Sequence, residues 1–360
     1  MEENKIINLK ISCKVYHQNN IYNIHNLELN TTGSTVYKLN NDYVVIFYFE
    51  SGKIKKEIKP TYKIYYSPSV SSYNTPLKNL LLNTNRCVLE KDIKKCDLIL
   101  LYYKYFSKNK NFIEKKYSNY IDSQKQFCNK KNLAKLISGS FYDIPTYDVH
   151  EGELPSSFKN TDKNKMYILK PESDSCGYGI KIKSLNDMIK YVKQQKLSNH
   201  IVQEYIEPKL IFGYKFDLRI YVFMTDKGKF FVSKHGMIRL AYNKYESGTT
   251  SLKTHLTNTS LDKKNSKIKS FSKWSEQSKY FSKIENVVGD LVKRVSFKSK
   301  YKGVHIFGFD IMIDKNDNLR LIEVNKCPSY SSINSIAKNI KTNMIMDYLN
   351  FCDEINIKNA

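Results

Sequence analysis

Two apolar runs joined by a short polar turn make up residues 307–325, FGFDIMIDKNDNLRLIEVN. The Asp and Asn residues of DKNDN favour a turn because their side chains bond nearby backbone groups, so the stretch predicts a β-hairpin. A turn that pairs residue 314 with residue 319 also sets Asp310 opposite Glu323.

Side chains alternate between the two faces of a strand, which divides this hairpin into an apolar face and an oxygen-rich face. The apolar face comprises Phe309, Ile311, Ile313, Ile322 and Val324. Asp310, Glu323 and Asn325 share the other face. Gly308, opposite Asn325, is expected to leave room for a ligand.

The oxygen-rich face has two interpretations. Opposed residues have Cβ atoms about 4.5–5.5 Å apart, where two carboxylates repel unless a cation lies between them or one takes a proton. Mg²⁺ prefers oxygen ligands and is commonly held by one or two carboxylates together with substrate phosphates. An ordinary solvated face is the alternative, and the hairpin alone does not decide between them.

The length of 360 residues (42.2 kDa) predicts two or three domains, and 41% hydrophobic residues indicate a globular chain. No apolar run approaches the roughly 18 residues of a membrane span, and the first residues lack the apolar region of a signal peptide. Seven cysteines without a C-x-x-C motif indicate reduced thiols, and the His residues lack zinc-type spacing. We therefore expect a cytoplasmic protein with no membrane contact, and association with the cytoskeleton is compatible with this expectation.

The formal net charge is +24 and the pI about 9.4, which favours association with polyanions such as nucleic acid or an acidic polypeptide. Compositional drift explains the charge equally well, since the lysines are spread along the chain. Dispersed lysines, scarce arginines and the lack of a recognisable nucleic-acid module make a nucleic-acid partner the weaker expectation.

The stretch YKFDLRIYV predicts a strand with one charged face. Lys215, Asp217, Arg219 and Tyr221 follow one another at every second position, with apolar residues between them. Such a face can be a solvated edge with internal ion pairs. It can equally present Lys and Arg to phosphates or carboxylates while Asp217 holds Arg219 in place.

Other stretches place polar residues beside apolar runs. YILKPESDSCGYGI puts Lys170 at a strand end before a Gly-containing loop, which can cradle phosphates or simply turn a hairpin. IVQEYIEP predicts a strand that ends with Gln203 and Glu204. These residues could bond the edge of an adenine ring, or the segment could simply connect two domains. GMIRLA and THLTNTS add three polar side chains, namely Arg239, Thr257 and Asn258.

Helical periodicity occurs in four segments. The first covers residues 125–137, and the second begins near Ser184, with Asp187 at capping-box spacing. The third covers about residues 284–296, and the fourth is SSINSIAKNIKTNMIMDYLNF after the hairpin. The chain from residue 125 onward is therefore a mixture of strands and helices.

The chain resembles the tubulin tyrosine ligase-like family in motifs that follow the family's order: KNLAKLI, YILKPESDSCGYGI, IVQEYIEP, KFDLRIYV, GMIRLA, THLTNTSLDKKN and FGFDIMIDKNDNLRLIEVNKCPS. The resemblance covers residues about 125 to 335. It implies an α+β chain of the ATP-grasp fold, in which two α/β subdomains grip ATP between mainly antiparallel sheets, after an N-terminal α/β domain. The implied domains are residues 1–125, 126–206 and 207–360.

The resemblance also implies roles for individual residues. The ATP-binding residues would be Lys130, Lys170, Gln203, Glu204, Tyr205, Ile206, Lys215 and Asp217. The substrate-binding residues would be Arg219, Arg239, Thr257 and Asn258. The residues that stabilise charge during catalysis would be Lys170, Arg219, Arg239 and Glu323. The Mg²⁺ ligands would be Asp310, Glu323 and Asn325.

Two positions depart from the family pattern. Cys176 stands where a basic residue usually precedes the first glycine of the loop, which removes a charge that faces the phosphates. Glu204 stands where Lys or Arg is common, although a hinge contact there would mostly use backbone atoms.

The implied activity is ligation with ATP and Mg²⁺: an acceptor carboxylate becomes an acyl phosphate, and the amine of a free amino acid then displaces phosphate. HLTNTS and EVNKCPS are closer to the glutamylase branch, so glutamate is the expected amino acid. Tubulin, or another protein with an acidic tail, is the expected acceptor. Two alternatives stay open, a tyrosine-adding ligase and a catalytically impaired pseudoenzyme that binds acidic tails.

Overall fold

The computed structural model describes residues 8–18, 20–30, 34–51, 53–66, 74–100, 116–172, 177–257, 267–299 and 301–359. These residues contain twenty strands and seven α-helices, and the sheets are mostly antiparallel. The chain divides into two compact units, Met1–Asn119 with Leu349–Ala360, and Tyr120–Tyr348. The three-domain division stays a prediction. In the part of the chain described, no helix combines the length and apolar character needed to cross a membrane.

The first unit contains two antiparallel sheets and one parallel sheet. The antiparallel strands are β1 (Asn8–His17) with β2 (Asn20–Asn30), and β3 (Ser34–Lys38), β4 (Tyr43–Glu50) and β5 (Lys53–Pro60). The parallel strands are β6 (Tyr62–Tyr66), β7 (Cys87–Glu90), β8 (Leu98–Leu100) and β9 (Tyr117–Ser118). Helix α1 (Asn74–Leu82) lies between β6 and β7 in the chain. This unit therefore has the α/β character expected of the N-terminal domain.

A fully buried arginine bonds the end of the chain into the first unit. Arg86 Nη2 donates to both carboxylate oxygens of Asp353 at 2.7 and 2.9 Å, and Nη1 donates to Asn350 Oδ1 at 3.1 Å. The Tyr62 hydroxyl donates to the same Asp353 carboxylate at 2.6 Å. A buried guanidinium needs such acceptors because an unpaired charge is costly to bury.

The second unit contains a four-stranded antiparallel sheet in the order β10-β13-β11-β12. Its strands are β10 (Thr146–Val149), β11 (Met166–Pro171), β12 (Lys181–Ser184) and β13 (His200–Glu204). The accompanying helices are α2 (Lys130–Ile137), α3 (Ser156–Lys159) and α4 (Leu185–Gln194). Leu169 of β11 and Val202 of β13 pack with Met188 and Val192 of α4 in one core. The alternate residues of β11, among them Lys170, therefore face away from α4.

Capping residues determine where two of these helices begin. Ser184 Oγ accepts a hydrogen bond from the Asp187 amide at 3.3 Å, which confirms the predicted start of α4. Helix α2 begins at Lys130 and not at residue 125, because Asn129 Oδ1 accepts from the Asn132 amide at 3.0 Å. The preceding residues, Asp122–Gln126, form a 3₁₀ turn instead.

The larger sheet of the second unit has seven strands, with β18-β17-β15-β19-β20 as its main order. Its strands are β14 (Leu210–Ile211), β15 (Tyr214–Thr225), β16 (Phe230–Val232), β17 (Met237–Leu240), β18 (Lys267–Ser270), β19 (Val304–Ile313) and β20 (Leu319–Asn325). The remaining helices are α5 (Leu252–His255), α6 (Gln277–Arg294) and α7 (Ser335–Glu354). Short 3₁₀ turns occupy Phe271–Lys273 and Ile357–Asn359.

One face of this sheet packs against α6. Leu218 and Ile220 of β15 and Phe309 of β19 share a core with Val287 and Leu291 of α6. The helix begins at Gln277, earlier than the predicted residue 284, and its first turns carry Tyr280, whose ring stacks on Trp274. The opposite face of the sheet holds the charged residues of β15 and β19.

The turn of the β19–β20 hairpin is shorter than predicted. The Asp314 amide donates to the Asn318 carbonyl at 2.9 Å, and Asp314 Oδ1 accepts from the amides of Asn316 and Asn318, both at 2.9 Å. Ile313 therefore pairs with Leu319, and the predicted pairing of residue 314 with 319 is wrong.

A β-bulge at Ile322 restores the predicted register. Ile311 pairs with Leu321, whereas Asp310 pairs with Glu323, so Ile322 is an extra residue in β20. The predicted pairing of Asp310 with Glu323 is confirmed. The placement of Ile322 on the apolar face is wrong, because Ile322 lines the same cavity as Asp310 and Glu323.

Candidate active site

Four charged side chains form a row across β17, β15 and β19. Asp217 of β15 pairs with Arg239 of β17, and Arg219 of β15 pairs with Asp310 of β19. Arg219 holds Asp310 with two bonds, from Nε at 2.5 Å and from Nη2 at 3.0 Å. Arg239 binds Asp217 at 2.7 and 2.5 Å and also reaches Asp310 Oδ2 at 3.0 Å. Thr257 Oγ1 donates to Asp217 Oδ2 at 2.6 Å.

The row balances its own charges while largely buried. Burial by itself raises the pKa of Asp310, but Arg219 and then Arg239 hold that pKa well below its usual range. Burial likewise opposes the charge of Arg239, yet Asp217 and Asp310 keep its pKa well above the ordinary value. Asp310 and Arg239 therefore stay ionised at neutral pH, and the fork-shaped hydrogen bonds of the two arginines fix the orientation of the row.

Glu323 and Asn325 bring further polar atoms to Asp310. The Asn325 amide nitrogen donates to Asp310 Oδ2 at 3.3 Å and to Glu323 Oε1 at 2.9 Å. Lys130 Nζ lies 3.5 Å from Glu323 Oε2. The predicted Mg²⁺ ligands therefore converge.

This donor set fits Mg²⁺. Rotation of the Asn325 amide would turn its oxygen toward the point that its nitrogen now occupies, which makes three oxygen donors of the type that Mg²⁺ takes. Among the described residues, no group of three His, Cys, Asp or Glu side chains could hold a metal by itself. The protein ligands of a metal at this point would be Asp310 and Glu323, with Asn325 as a third oxygen donor.

Three lysines line a cavity of about 100 Å³ beside the row. The charged residues of its wall are Lys130, Lys170, Lys215, Asp217, Asp310 and Glu323. A wider cleft of about 570 Å³, lined by Glu204, Tyr205 and Ile206, adjoins it, since His255 lines both spaces. The predicted phosphate-binding lysines thus lie together, next to the predicted hinge.

Burial lowers the pKa of two of these lysines. The pKa of Lys170 falls to about 8, and its Nζ donates to Gln203 Oε1 at 2.6 Å. The pKa of Lys215 falls to about 7 through burial and then through the nearby charge of Lys170. Lys215 Nζ donates to the Tyr205 hydroxyl at 3.1 Å, which lies 2.7 Å from His255 Nδ1. A bound polyanion would favour the charged form of both lysines.

The sequence matches a known family model over most of its length. The model, described as the Tubulin-tyrosine ligase family, matches residues 103–360. The chain belongs to the tubulin-tyrosine ligase family. This membership confirms the resemblance that the ordered motifs indicate.

Several relatives within the tubulin-tyrosine ligase family are glutamylases. The chain is 28% identical over 286 residues to tubulin polyglutamylase TTLL7 of Mus musculus, which covers 64% of this chain and 31% of that protein. It is 30% identical over 234 residues to tubulin monoglutamylase TTLL4 of Mus musculus (55% of this chain, 19% of that protein). It is 29% identical over 278 residues to tubulin polyglutamylase TTLL6 of Homo sapiens (64% and 30%). The matched region spans less than a third of the length of each relative.

The residues predicted to form the hinge already use much of their hydrogen-bonding capacity. Gln203 is buried, accepts from Lys170, and donates from Nε2 to Thr146 Oγ1 at 2.9 Å. The backbone amide of Glu204 donates to the Pro145 carbonyl at 3.0 Å, and that of Tyr205 donates to the Met166 carbonyl at 2.9 Å. Those two amides are therefore not free for an adenine ring in this conformation.

The side chain of Glu204 is also engaged, because Lys165 Nζ lies 2.6 Å from its Oε1. The lysine beside the predicted hinge is therefore Lys165, which directly precedes the neighbouring strand β11, whereas the family commonly has Lys or Arg at position 204. Two other positions, Cys176 and Asn258, lie outside the described residues, and their roles stay predictions.

The prediction that Gly308 leaves room for a ligand is wrong. A Cβ added at Gly308 would come within 3.0 Å of Arg219 Cδ and of Pro328 Cβ. The space beside this glycine is therefore filled by the arginine of the row and by the segment after β20, and it does not hold a ligand.

Two polar residues of the site region were missed by sequence reasoning. Thr146 was not singled out because a lone Thr in a short strand has no distinguishing pattern. Lys341 could have been recognised from the sequence, because it interrupts the apolar stripe of α7. The buried residues of that stripe are Ala337, Ile340, Met344, Ile345 and Tyr348. A lysine inside such a stripe indicates a buried cation.

Proposed function

We propose that the chain is an ATP-dependent ligase that joins glutamate to an acidic protein tail of the tubulin kind. The observation that carries the proposal is the convergence of three lysines on a cavity that also contains Asp310 and Glu323, with Arg219 and Arg239 both bound to Asp310. Phosphoryl transfer to a carboxylate brings several negative charges together, and a fixed set of cations stabilises them.

In this proposal the second unit holds ATP in the ATP-grasp manner. The cavity wall combines Ile168 and Lys170 of the four-stranded sheet with Lys215 and Asp310 of the larger sheet. The triphosphate would lie among Lys130, Lys170 and Lys215, and the adenine would lie in the adjoining cleft. Mg²⁺, held by Asp310, Glu323 and Asn325, would neutralise phosphate charge and polarise the γ-phosphoryl group.

The chemistry proceeds in two steps. An acceptor carboxylate oxygen attacks the γ-phosphorus of ATP, ADP leaves, and an acyl phosphate forms. The amine of the free amino acid then attacks the acyl carbon, phosphate leaves, and the amine proton passes to solvent. Arg219 and Arg239 would orient and stabilise the carboxylate and phosphate groups, and no protein nucleophile is needed.

The choice of glutamate is supported by the names of the relatives, which are tubulin polyglutamylases and a monoglutamylase. An acidic acceptor is also consistent with the net charge of +24. The cytoplasmic location expected from the sequence stays part of this proposal.

A ligation assay tests the function. The purified chain would be incubated with Mg·ATP, tubulin and one labelled amino acid at a time, with ADP release measured in parallel. We expect acceptor-dependent incorporation of glutamate. Incorporation of tyrosine alone would refute the glutamate assignment, and a chain that gains no thermal stability from Mg·ATP and ligates nothing would be a pseudoenzyme.

A variant pair tests the metal ligands. Glu323→Gln should keep the fold and abolish ligation, because a neutral amide holds Mg²⁺ far less well than a carboxylate. Glu285→Gln is the matched control, since Glu285 is exposed on α6. Ligation by Glu323→Gln at the rate of the control would refute the metal assignment.

A further inference from the structure

His255 lies where the lysine cavity meets the wider cleft, and the proposed function gives it no role. It lines both spaces and is buried. Two tyrosine rings meet its ring edge-on, with centroid distances of 5.1 Å to Tyr205 and 5.8 Å to Tyr245. Because these rings fix the orientation of the imidazole, the partners of its two nitrogens can be assigned separately.

The partners of the imidazole determine which nitrogen carries the proton. Nε2 lies 2.6 Å from the backbone carbonyl of Thr249, which can only accept, so Nε2 is a donor. Nδ1 lies 2.7 Å from the Tyr205 hydroxyl. Burial is the main cause that lowers the pKa of His255, and the positive charge of Lys215 acts in the same direction. The ring is therefore neutral at pH 7, and Nδ1 carries no proton.

The hydroxyl of Tyr205 consequently has a fixed direction. It donates its proton to Nδ1 of His255, which leaves its oxygen free to accept from Lys215 Nζ at 3.1 Å. The same Nζ lies 4.5 Å from the centre of the Tyr205 ring. The neighbouring Tyr245 hydroxyl donates to Glu207 Oε2 at 2.7 Å. The hydrogen bonds thus run one way, from Lys215 through Tyr205 to His255, and such chains strengthen their members.

This chain matters for Lys215 because a long lysine side chain loses much rotational freedom when it is held in one place. If Nδ1 of His255 did not accept, the Tyr205 hydroxyl could turn its proton toward Lys215, and the ammonium group would lose its acceptor. The Lys215 ammonium would then be less well fixed in the cavity where the triphosphate would lie.

We propose that His255 is a positioning residue that holds Lys215 in place for the triphosphate, through the Tyr205 hydroxyl and without touching the nucleotide. The inference rests on the proposed ligase function and adds His255 and one hydroxyl group to the residues that prepare its nucleotide site. It also connects the two spaces, because Tyr205 lines the cleft that would hold the adenine and Lys215 lines the cavity that would hold the phosphates.

A double-mutant cycle on nucleotide affinity tests the route of this effect. Calorimetric titration of a non-hydrolysable ATP analogue with Mg²⁺ into the full chain measures the affinity without turnover. Tyr205→Phe removes the hydroxyl, and His255→Gln keeps a donor for Thr249 but removes the acceptor, so each should weaken binding by about 3–10-fold, the loss of one hydrogen bond. The double variant should bind as well as Tyr205→Phe alone, because both changes break the same connection.

Two further variants and one spectrum separate positioning from structure. His255→Asn should retain most of the affinity, because the Asn oxygen is as many bonds from Cβ as Nδ1 is and accepts from Tyr205. His200→Gln is the control, since His200 Nδ1 also lies 2.7 Å from a backbone carbonyl but sits at the opposite end of β13 from Tyr205. NMR of the nucleotide-free chain should show a neutral His255 with its proton on Nε2.

The proposal is wrong if the double variant loses the sum of the two single losses, because His255 would then contact the nucleotide directly. Unchanged affinity in His255→Gln would show that another acceptor, such as the Tyr245 oxygen, replaces Nδ1. Equal losses in His255→Asn and His255→Gln, or a spectrum of a charged ring or of a proton on Nδ1, would also overturn it. A wild-type chain that binds no nucleotide would refute this inference and the proposed function together. The expected cycle in a chain that ligates no amino acid would refute the ligase function alone.

Discussion

Asp310 and Glu323 face each other across β19 and β20 because one extra residue, Ile322, offsets the short turn of the hairpin. Without the bulge, the pairing of Ile313 with Leu319 would continue to set Ile322 opposite Asp310. Glu323 would then fall on the core face, opposite Phe309. The bulge therefore delivers the second carboxylate to the site, as bulges beside active sites commonly do.

Neighbouring alanine substitutions test the bulge. Leu321 is 1% exposed in the core, so Leu321→Ala should lower the free energy of unfolding by about 2–5 kcal/mol. Ile322→Ala should cost about 1 kcal/mol or less, because Ile322 lies on the cavity wall and is only partly buried, but it should weaken Mg·ATP binding. Chemical denaturation and nucleotide titration give the two quantities. Equal destabilisation by the two variants would contradict the bulge.

The two hydrogen bonds from the Arg219 guanidinium to Asp310 lead to a second prediction, on the ligation rate. Lysine cannot make both bonds to Asp310, so Arg219→Lys should lower the ligation rate by about 10²–10³-fold with the fold retained. The control is Arg294→Lys, in a half-exposed i,i+4 pair with Asp290, where the rate should not change. Comparable rates for the two variants would show that the planar group has no special role.

Thr146 is predicted to position Lys170 through Gln203. Thr146→Val removes the acceptor of the Gln203 amide, which should cost about 1 kcal/mol of stability and raise the KM for ATP several-fold. Thr161→Val is the control, because it removes one of the two acceptors of the Tyr167 hydroxyl, which also donates to the Asp162 carbonyl at 3.0 Å. The control should lose no more stability than Thr146→Val and keep its KM for ATP. An unchanged KM in Thr146→Val would refute the positioning role.

The lysine cavity predicts a pH dependence of nucleotide binding. A bound triphosphate favours protonated lysine, so binding raises the pKa of Lys170 from about 8 and that of Lys215 from about 7. Affinity should be greatest below these values and fall as pH rises through them, by up to about tenfold per pH unit for each lysine. Titration of Mg·ATP across this range measures the slope. Lys215→Met should bind more weakly at neutral pH and show a shallower slope, and a pH-independent wild type would contradict the prediction.

Local alternation was sufficient to predict much of the site. The spacing in YKFDLRIYV placed Asp217 and Arg219 on one face, and the turn residues of DKNDN predicted the hairpin that carries Asp310 and Glu323. The start of α4 at Ser184 was also predictable, because the capping hydrogen bond joins Ser184 to Asp187, only three residues away. These features depend on neighbours in the chain.

Features that depend on distant partners were not predictable. The bulge arises because Asp314 bonds two amides of the turn and shortens it, which spacing alone does not show. The sharing of Arg239 between Asp217 and Asp310 requires three strands to come together. The space at Gly308 was expected to hold a ligand, because nothing local to it indicates that Arg219 and Pro328 fill it.

The row Asp217–Arg239–Asp310–Arg219 has no net charge, and its ion pairs join its own members. Replacing Asp310 by a neutral residue removes the counter-ion of Arg219, and replacing Arg239 removes that of Asp217, a loss of several kcal/mol. Evolution can therefore alter these positions readily only in concert, exchanging an acid and a base together. Diverged chains of this family should then either retain the whole quartet or lose its members in matched pairs.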